Sequence, residues 1–300
     1  MMLISRRRMI AVTAAALGFG RGGKALATPP VEWRGVALGA PARLILRHPD
    51  RDEALRLLDA ARAEIERMER VFSLYRPDSA LSRLNRDGRL EAPPTDLVAC
   101  LGQALRIAEL SRGAFDPTVQ PLWALHARHF AQPDADPAGP PEALVRKARA
   151  LVDWRRVSLD PRMVRLEPGM AVTLNGIAQG HASDRVANLL RQAGLDAVLV
   201  HLGETRAAGP PTGDSWRVGL PDGRVIELTG DAAIATSSPD GTRFSPACHH
   251  LFDPRTGRSA KAVTVTVQAP SAALADGLST ALSVGAGRGL LDAFPATRTP

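Results

Sequence analysis

The spacing of apolar residues divides the chain into a mainly helical first half and a strand-rich second half. Residues 33–48 alternate between apolar and polar side chains, which predicts a strand. Residues 50–71 carry apolar side chains at helical spacing, with arginines and glutamates elsewhere, which predicts an amphipathic helix. A second helix is predicted over 95–111, with Thr95 as its N-cap, and a third over 141–151.

From residue 152 onward the chain consists of short apolar or alternating runs. Turn signals such as Pro-Asp-Gly separate them, and this texture is typical of β-strands. Two helices, over 176–193 and 271–284, interrupt the runs. The predicted strands cover residues 156–159, 163–166, 170–174, 197–202, 216–220, 225–228, 232–236 and 262–269. This order predicts an α+β fold with a mixed or antiparallel sheet and packed helices.

The segment from Thr173 to Gly180 reads T-L-N-G-I-A-Q-G and joins a predicted strand to a predicted helix. Gly176 and Gly180 let the backbone bend and pack closely because they carry no Cβ. The first amides of a helix have no partner inside the helix, and with the helix dipole they attract anions. A phosphate-binding turn and an ordinary strand-to-helix turn both fit this pattern.

The distribution of charge along the chain is more informative than the net charge. The chain has 300 residues, 45% of them hydrophobic, which is enough for a large core, and a net charge of +7. Five of its basic residues lie among residues 1–27, which contain no acid, so the rest of the chain carries +2. A nearly neutral body argues against nucleic-acid binding. Only two cysteines are present, which excludes a disulfide scaffold and a cysteine-based metal site.

The first 27 residues have the organisation of a targeting leader. Arg6, Arg7 and Arg8 precede a short apolar run, and Ala25-Leu26-Ala27 forms a small-x-small cleavage site. The segment resembles a twin-arginine export signal, so residues 28–300 are predicted to be the mature domain and to reside in the periplasm. No later run approaches the ~18 apolar residues that span a membrane, so no membrane span is expected.

Several polar residues invite a chemical interpretation beside a structural one. Tyr75, the only tyrosine, follows the first long helix and would stack on a planar ligand or pack as an ordinary tyrosine. Asp116, in the turn G-A-F-D-P-T, would bond a ligand or cap the turn. Asp276 and Thr280 share one helix face at i, i+4, where they would bind Mg²⁺, or Thr280 would bond back to its own helix. The dense segment around His249 and His250 lacks the spacing of a zinc site.

In chain order, the motifs F-S-x-Y, G-A-F-D-P-T, N-G-I-A-Q-G-x-x-x-D, H-x-F-D-P-R-T-G and A-D-x-L-S-T-A resemble the ApbE family of FAD:protein FMN transferases. The resemblance covers residues 33–290. It implies a two-lobed α+β fold, FAD as a substrate, and Mg²⁺-dependent transfer of FMN to a Thr or Ser hydroxyl of a partner flavoprotein, with release of AMP. The motif around Asn175 and Gln179 resembles that of the NosX-like branch, which implies a NosR-like respiratory flavoprotein as the acceptor; the alternative acceptor is a flavoprotein of the RnfG- or NqrC-like kind.

The resemblance also implies roles for particular residues. The residues that fall on the family's flavin-contacting positions are Leu38, Tyr75, Ala114, Phe115, Asp116, Thr173, Gln179, His250 and Leu251. Those that fall on its Mg²⁺ ligands are Gly176, through its carbonyl, Asp276 and Thr280. His250 and Asp276 are the predicted catalytic residues, His250 for proton transfer, with Asp253 either orienting it or forming a structural turn.

The chain departs from the family pattern in several of these positions. Leu38-Gly39-Ala40 replaces Met-Gly-Thr, Thr173 replaces Asp, and Gln179 replaces Lys, which removes a cation beside the pyrophosphate. Two alternatives to the transferase therefore remain. One is a non-catalytic FAD-binding assembly factor; the other is an FAD pyrophosphatase that releases FMN and AMP.

Overall fold

A computed structural model describes residues 29–46, 48–195, 198–209, 216–220, 222–228 and 230–300. The predicted leader, residues 1–27, lies outside them. The helices are α1 (Arg51–Phe72), α2 (Ala80–Asp87), α3 (Thr95–Leu110), α4 (Gln120–Phe130), α5 (Glu142–Arg149), α6 (Ala178–Gln192) and α7 (Ala272–Val284). The strands are β1 (Val31–Ala37), β2 (Ala40–Leu46), β3 (Arg89–Glu91), β4 (Ser158–Asp160), β5 (Met163–Arg165), β6 (Val198–Leu202), β7 (Thr205–Ala208), β8 (Trp216–Gly219), β9 (Val225–Leu228), β10 (Ala233–Ser237), β11 (Phe252–Asp253), β12 (Arg258–Ser259) and β13 (Val265–Ala269).

A six-stranded sheet with the order β1-β2-β6-β7-β10-β13 forms the centre of the described structure, and every neighbouring pair is antiparallel. Alternate residues of a strand face opposite sides of the sheet. Leu44 and Val200 therefore join the main core with α1, α6 and α7. Ile45 and Leu199 face the other side, where the β8–β9 hairpin covers them. The predicted α+β class with an antiparallel sheet and packed helices is confirmed.

The single strand predicted over residues 33–48 is in fact a hairpin. Its β1 and β2 strands pair from Val31 with Leu46 to Ala37 with Ala40. Leu38 and Gly39 make the turn with φ of 48° and 76°, and successive residues in this left-handed region are typical of tight two-residue hairpins. Alternation alone does not reveal the reversal because no Asn-Gly or Asp-Gly signal marks it.

Residues 170–174 were predicted to form a strand, and this prediction is wrong. Met170, Val172 and Leu174 are buried, so the alternation correctly reports burial on one side. The backbone of Val172, however, pairs with a side chain: its N–H donates to Asn85 Oδ1 at 2.7 Å and its carbonyl accepts from Asn85 Nδ2 at 2.8 Å. An amide side chain on α2 thus occupies the place of a neighbouring strand.

Other differences concern element ends and short elements. Helix α6 begins at Ala178, two residues later than predicted, and Pro94 rather than Thr95 occupies the N-cap position of α3. Helices α2 and α4 and strand β7 were not predicted. In the part of the chain that the structure describes, no helix combines the length and apolarity needed to cross a bilayer.

Candidate active site

One large cleft of about 1110 Å³ lies where the β1–β2 turn, the loops after α1 and α3, the start of α6, the end of β10 and the middle of α7 meet. Loops and element ends from a rigid scaffold commonly form such sites. Every site residue predicted from the sequence lines this cleft, namely Leu38, Tyr75, Ala114, Phe115, Asp116, Thr173, Gly176, Gln179, His250, Leu251, Asp276 and Thr280. Residues up to 242 positions apart in sequence are therefore brought together in one cleft.

The β1–β2 turn is fixed at Leu38 by hydrogen bonds from two helices. The Leu38 N–H donates to Glu69 Oε1 of α1 at 2.6 Å, and its carbonyl accepts from Gln179 Nε2 of α6 at 3.3 Å. Gln179 is buried and also lies against Gly203, where a Cβ would come within 2.6 Å of Oε1. Gln179 therefore links two turns that line the cleft, and this chain uses a neutral amide for that contact.

Tyr75 lies at the mouth of the cleft. It is 74% exposed, and a Cβ built on Gly39 would lie 3.8 Å from its ring. Within the described residues its hydroxyl makes no hydrogen bond, so the ring, rather than the hydroxyl, is what this residue offers to a ligand.

The turn around Asp116 forms a second wall. Asp116 Oδ1 accepts from the Thr118 N–H and hydroxyl at 2.8 and 2.6 Å, and Oδ2 accepts from the Trp154 N–H at 3.2 Å. Burial raises the pKa of this carboxyl, while the hydrogen bonds act in the opposite direction. The Asp116 side chain therefore caps the turn, which agrees with the structural interpretation of its sequence. The Thr173 N–H donates to Pro117 O at 2.8 Å and joins this wall to the next segment.

The start of α6 differs from the anion-binding turn expected there. The Ile177 and Ala178 amides both donate to Leu174 O, at 2.9 and 2.7 Å, and the Gly180 amide donates to Asp276 Oδ2 at 3.3 Å. These three amides have partners inside the protein, so the argument from unpaired helix amides does not apply to them. Gly176 has another role, because a Cβ there would lie 3.1 Å from Thr280 Oγ1 and 3.3 Å from Phe115.

Helix α7 is held at its N-terminus by the partly buried carboxylate of Asp184 on α6. Asp184 accepts from the Ala272 and Ala273 amides at 2.8 and 2.9 Å and forms an ion pair with Arg206 at 3.5 Å. Burial raises the pKa of the Asp184 carboxyl against these hydrogen bonds. Because α7 is held at this end, the position of Asp276, one turn further along the helix, is held as well; Asp276 is 3% exposed and lines the cleft.

Asp276, Thr280 and Gly176 fit a hard divalent cation. Carboxylate, hydroxyl and carbonyl oxygens are the donors that Mg²⁺ prefers, and the missing side chain of Gly176 leaves the space beside Thr280 that a Cβ would fill. The Thr280 hydroxyl contacts Ser237 Oγ at 3.0 Å, and no bond back to its own helix is found for it within the described residues. Those residues contain no group of three His, Cys, Asp or Glu side chains that could bind a metal, so a site here depends on mixed oxygen donors.

His250 lines the cleft against the loop after β10. Its Nδ1 is 3.1 Å from Thr242 O and 3.2 Å from Thr242 N, so the tautomer determines which of the two it bonds. Asp253 does not orient it, because the Asp253 carboxylate accepts from Arg255 Nε and Nη2 at 2.8 and 3.0 Å. The structural-turn interpretation of D-P-R-T-G is therefore the one that the geometry supports. His249 is buried, with Nε2 2.9 Å from Ala260 O.

The structure adds residues to the cleft that the sequence did not single out. Burial lowers the pKa of His201 to about 4, with a contribution from Arg43, and its Nδ1 lies 3.0 Å from Thr205 Oγ1. Glu204, in the turn after it, accepts from the Thr236 N–H at 3.2 Å. Ser237 follows on β10. In the sequence, the only feature that points to His201, Glu204 and Ser237 as cleft residues is that they are polar and lie at the ends of predicted strands.

Comparisons with known proteins identify the family of the chain. A model of the ApbE family matches residues 38–293. A FAD:protein FMN transferase of Vibrio cholerae is 33% identical over 243 residues, covering 73% of this chain and 70% of that protein. One from Klebsiella pneumoniae is 30% identical over 277 residues, covering 83% and 77%.

Solved structures show the same similarity. The flavin transferase ApbE from Vibrio cholerae has a TM-score of 0.74 at 29% identity, covering 88% of this chain and 91% of that chain. The ApbE protein from Thermotoga maritima has a TM-score of 0.77 at 29% identity, covering 86% and 88%. From the family model, the relatives and the shared fold together, this chain belongs to the ApbE family.

Proposed function

We propose that the protein is a FAD:protein FMN transferase that moves FMN from FAD to a Thr or Ser hydroxyl of a partner flavoprotein and releases AMP. The observation that carries the proposal is that all the predicted flavin-contacting, metal-binding and catalytic residues line one cleft. The cleft, about 1110 Å³, is large enough for a dinucleotide and open at the end where Tyr75 is exposed.

The residues divide into three tasks. The Tyr75 ring and the Leu38 turn bind the flavin end of FAD by stacking and packing. Asp276, Thr280 and the Gly176 carbonyl hold Mg²⁺, which when bound neutralises negative charge that builds up on phosphate oxygens during transfer. His250 is the proposed acceptor of the proton from the attacking hydroxyl.

The proton balance constrains His250. The attacking hydroxyl loses its proton as the new P–O bond forms and the bond to the AMP phosphate breaks. His250 Nε2 can take that proton only in the tautomer in which Nδ1–H donates to the Thr242 carbonyl, 3.1 Å away. The Thr242 carbonyl stabilises this tautomer, whereas the Thr242 N–H, 3.2 Å from the same nitrogen, stabilises the other one, in which Nε2 carries the proton.

The contacts of Gln179 support an intact cleft wall, whereas the cited contact of Thr173 is made by its backbone and does not depend on its side chain. Gln179 is buried in contact with the Leu38 turn, and the Thr173 backbone joins two cleft walls. Gln179 therefore keeps the Leu38 turn connected to α6, while loss of the lysine charge would make a cation held at Asp276 more important for binding pyrophosphate.

The test is to incubate the purified protein with FAD, Mg²⁺ and a flavoprotein domain carrying an acceptor Thr, then measure the mass of that domain and the AMP formed. The transferase predicts the FMN mass increment with one AMP for each increment. AMP with free FMN instead identifies a pyrophosphatase, and bound FAD without AMP identifies a non-catalytic carrier.

The site of action is also a proposal. The twin-arginine-like leader supports export to the periplasm, where a respiratory membrane flavoprotein of the NosR-like kind would be the acceptor. Fusing residues 1–27 to a reporter and measuring its export in cells with and without a twin-arginine pathway tests this proposal.

A further inference from the structure

Three hydroxyl groups link β10 to α7 beside the proposed cation site. Ser237 Oγ lies 2.8 Å from Ser279 Oγ and 3.0 Å from Thr280 Oγ1. Ser279 is fully buried, and its hydroxyl donates to the Asp276 carbonyl at 3.0 Å. Each hydroxyl has one proton to donate, so the three contacts can be assigned by counting protons.

The count starts at the Asp276 carbonyl because a carbonyl can only accept. The Ser279 proton is used there, so in its contact with Ser237 the Ser279 oxygen must accept. The Ser237 proton is then used on Ser279. In the remaining contact the Ser237 oxygen must therefore accept, and the donor must be Thr280. The protons run in one direction, from Thr280 to Ser237 to Ser279 to the Asp276 carbonyl.

We propose that Ser237 is a positioning residue that directs the Thr280 proton away from the cation site, so that the Thr280 oxygen presents lone pairs to the metal. A hydroxyl that binds a cation uses its lone pairs, and a proton turned toward the metal opposes binding. The hydroxyl chain fixes the favourable orientation before any cation arrives. This inference rests on the cation assignment in the proposed function.

Burial strengthens the constraint. Ser279 is inaccessible to solvent and Asp276 is 3% exposed, so water does not readily compete for the hydrogen bond between them, which sets the direction of the whole chain. Ser238, the next residue, does not take part: its hydroxyl lies 2.9 Å from Thr264 Oγ1. The two adjacent serines thus provide a matched pair, one inside the chain of hydroxyls and one outside it.

The experiment measures cation affinity rather than turnover. Mn²⁺ accepts the same oxygen ligands as Mg²⁺ and its free form is measured by electron paramagnetic resonance. The purified protein is titrated with Mn²⁺, with and without FAD. Loss of an interaction that orients a ligand typically weakens metal binding by about 10–100-fold. Ser237→Ala is expected to raise the Mn²⁺ dissociation constant by about tenfold or more, and Ser237→Thr, which keeps the hydroxyl, by less than about twofold.

Ser279→Ala provides a second variant that touches no cleft surface. It frees the Ser237 proton to donate to Thr280, so Mn²⁺ binding is expected to weaken although Thr280 and Asp276 are unchanged. Ser238→Ala is the control and is expected to bind Mn²⁺ like the unmodified protein. Thermal unfolding of each variant shows whether it is folded.

Two results overturn the inference, and they are distinguishable. If Asp276→Ala abolishes Mn²⁺ binding while Ser237→Ala and Ser279→Ala bind normally, the cation site stands and the orienting role fails. If Asp276→Ala itself binds Mn²⁺ normally, the cation assignment fails and the orienting role fails with it.

Discussion

Gly180 of α6 packs against the backbone of Ala272 at the start of α7, so closely that a Cβ on Gly180 would lie 2.2 Å from the Ala272 carbonyl oxygen. The neighbour is backbone, which cannot rotate away, so a side chain at this position must push the two helices apart. Gly180→Ala is therefore expected to destabilise the protein by about 1–3 kcal/mol or more and to displace Asp276, whose carboxylate accepts from the Gly180 amide. Urea unfolding and Mn²⁺ affinity measure the two effects.

Gly287→Ala is the control for that substitution. Gly287 has an ordinary φ of −67°, and a Cβ there would meet no atom within 4 Å. The free energy of unfolding of the Gly287→Ala variant should differ from that of the unmodified protein by less than about 0.5 kcal/mol. Equal losses in both variants would contradict the steric explanation.

Glu69 is expected to affect FAD binding although it is not among the residues that line the cleft. Its carboxylate holds the Leu38 amide at 2.6 Å, and Leu38 adopts a φ of 48° that needs such support. Glu69→Ala should raise the KM for FAD about tenfold, the equivalent of one hydrogen bond, with a smaller effect on kcat. Glu69→Gln keeps an acceptor and should recover most of the affinity.

Glu66 lies on the same helix but pairs with Arg70 and Arg76. Glu66→Ala should therefore leave the KM for FAD unchanged. A rise in KM for this variant as large as that for Glu69→Ala would show that general loss of charge on α1, rather than support of the turn, is responsible.

Two substitutions of Tyr75 distinguish ring stacking from hydrogen bonding as its contribution to FAD binding. Because its hydroxyl has no partner in the described structure while its ring is exposed at the cleft mouth, Tyr75→Phe should bind FAD as well as the unmodified protein. Tyr75→Ala should bind about tenfold more weakly, a loss typical of one aromatic pair. Quenching of flavin fluorescence measures both affinities; a large loss in Tyr75→Phe would instead assign the contact to the hydroxyl.

His201 should make the stability of the protein depend on acid pH. Its pKa falls from 6.5 to about 4 on folding, so between these values the unfolded chain binds a proton that the folded chain does not. The free energy of unfolding must then decrease as the pH falls through this window, by about 2 kcal/mol near pH 4.5. Urea unfolding at several pH values should show a smaller decrease for His201→Asn; an identical decrease would exclude His201 as its source.

The residues selected from the sequence come together in the fold, although the local structure around some of them differs from the prediction. The motif series, through its resemblance to the ApbE family, selected twelve residues far apart in the sequence, and all of them line one cleft. The alternation over 170–174 predicted a strand, and only the fold shows that Asn85 takes the place of the neighbouring strand. Hydrogen bonds between distant segments leave no periodic signal in a sequence.

The same reasoning explains the residues that sequence analysis missed. In the sequence, Glu69 looks like any other charged residue of an amphipathic helix. In the fold, its carboxylate accepts a hydrogen bond from Leu38, 31 positions earlier. In the sequence, Ser237 is only a polar residue at the end of a strand. Its proposed role depends on its contact with Ser279 of α7, 42 residues later in the chain. Both contacts exist only once the sheet and the helices have assembled.

The hydrogen bond between Leu38 and Gln179 spans 141 residues, and the cleft extends along the chain from Leu38 to Pro300. High contact order of this kind slows folding. Distant segments must first lose chain entropy by coming together, and only then do their contacts stabilise the structure. No partly folded intermediate that lacks either end possesses the complete cleft. Any ligand that fills the cleft therefore binds only the fully folded state and stabilises it by mass action. The recovery of flavin binding during refolding would accordingly be a late event that reports on the completed topology.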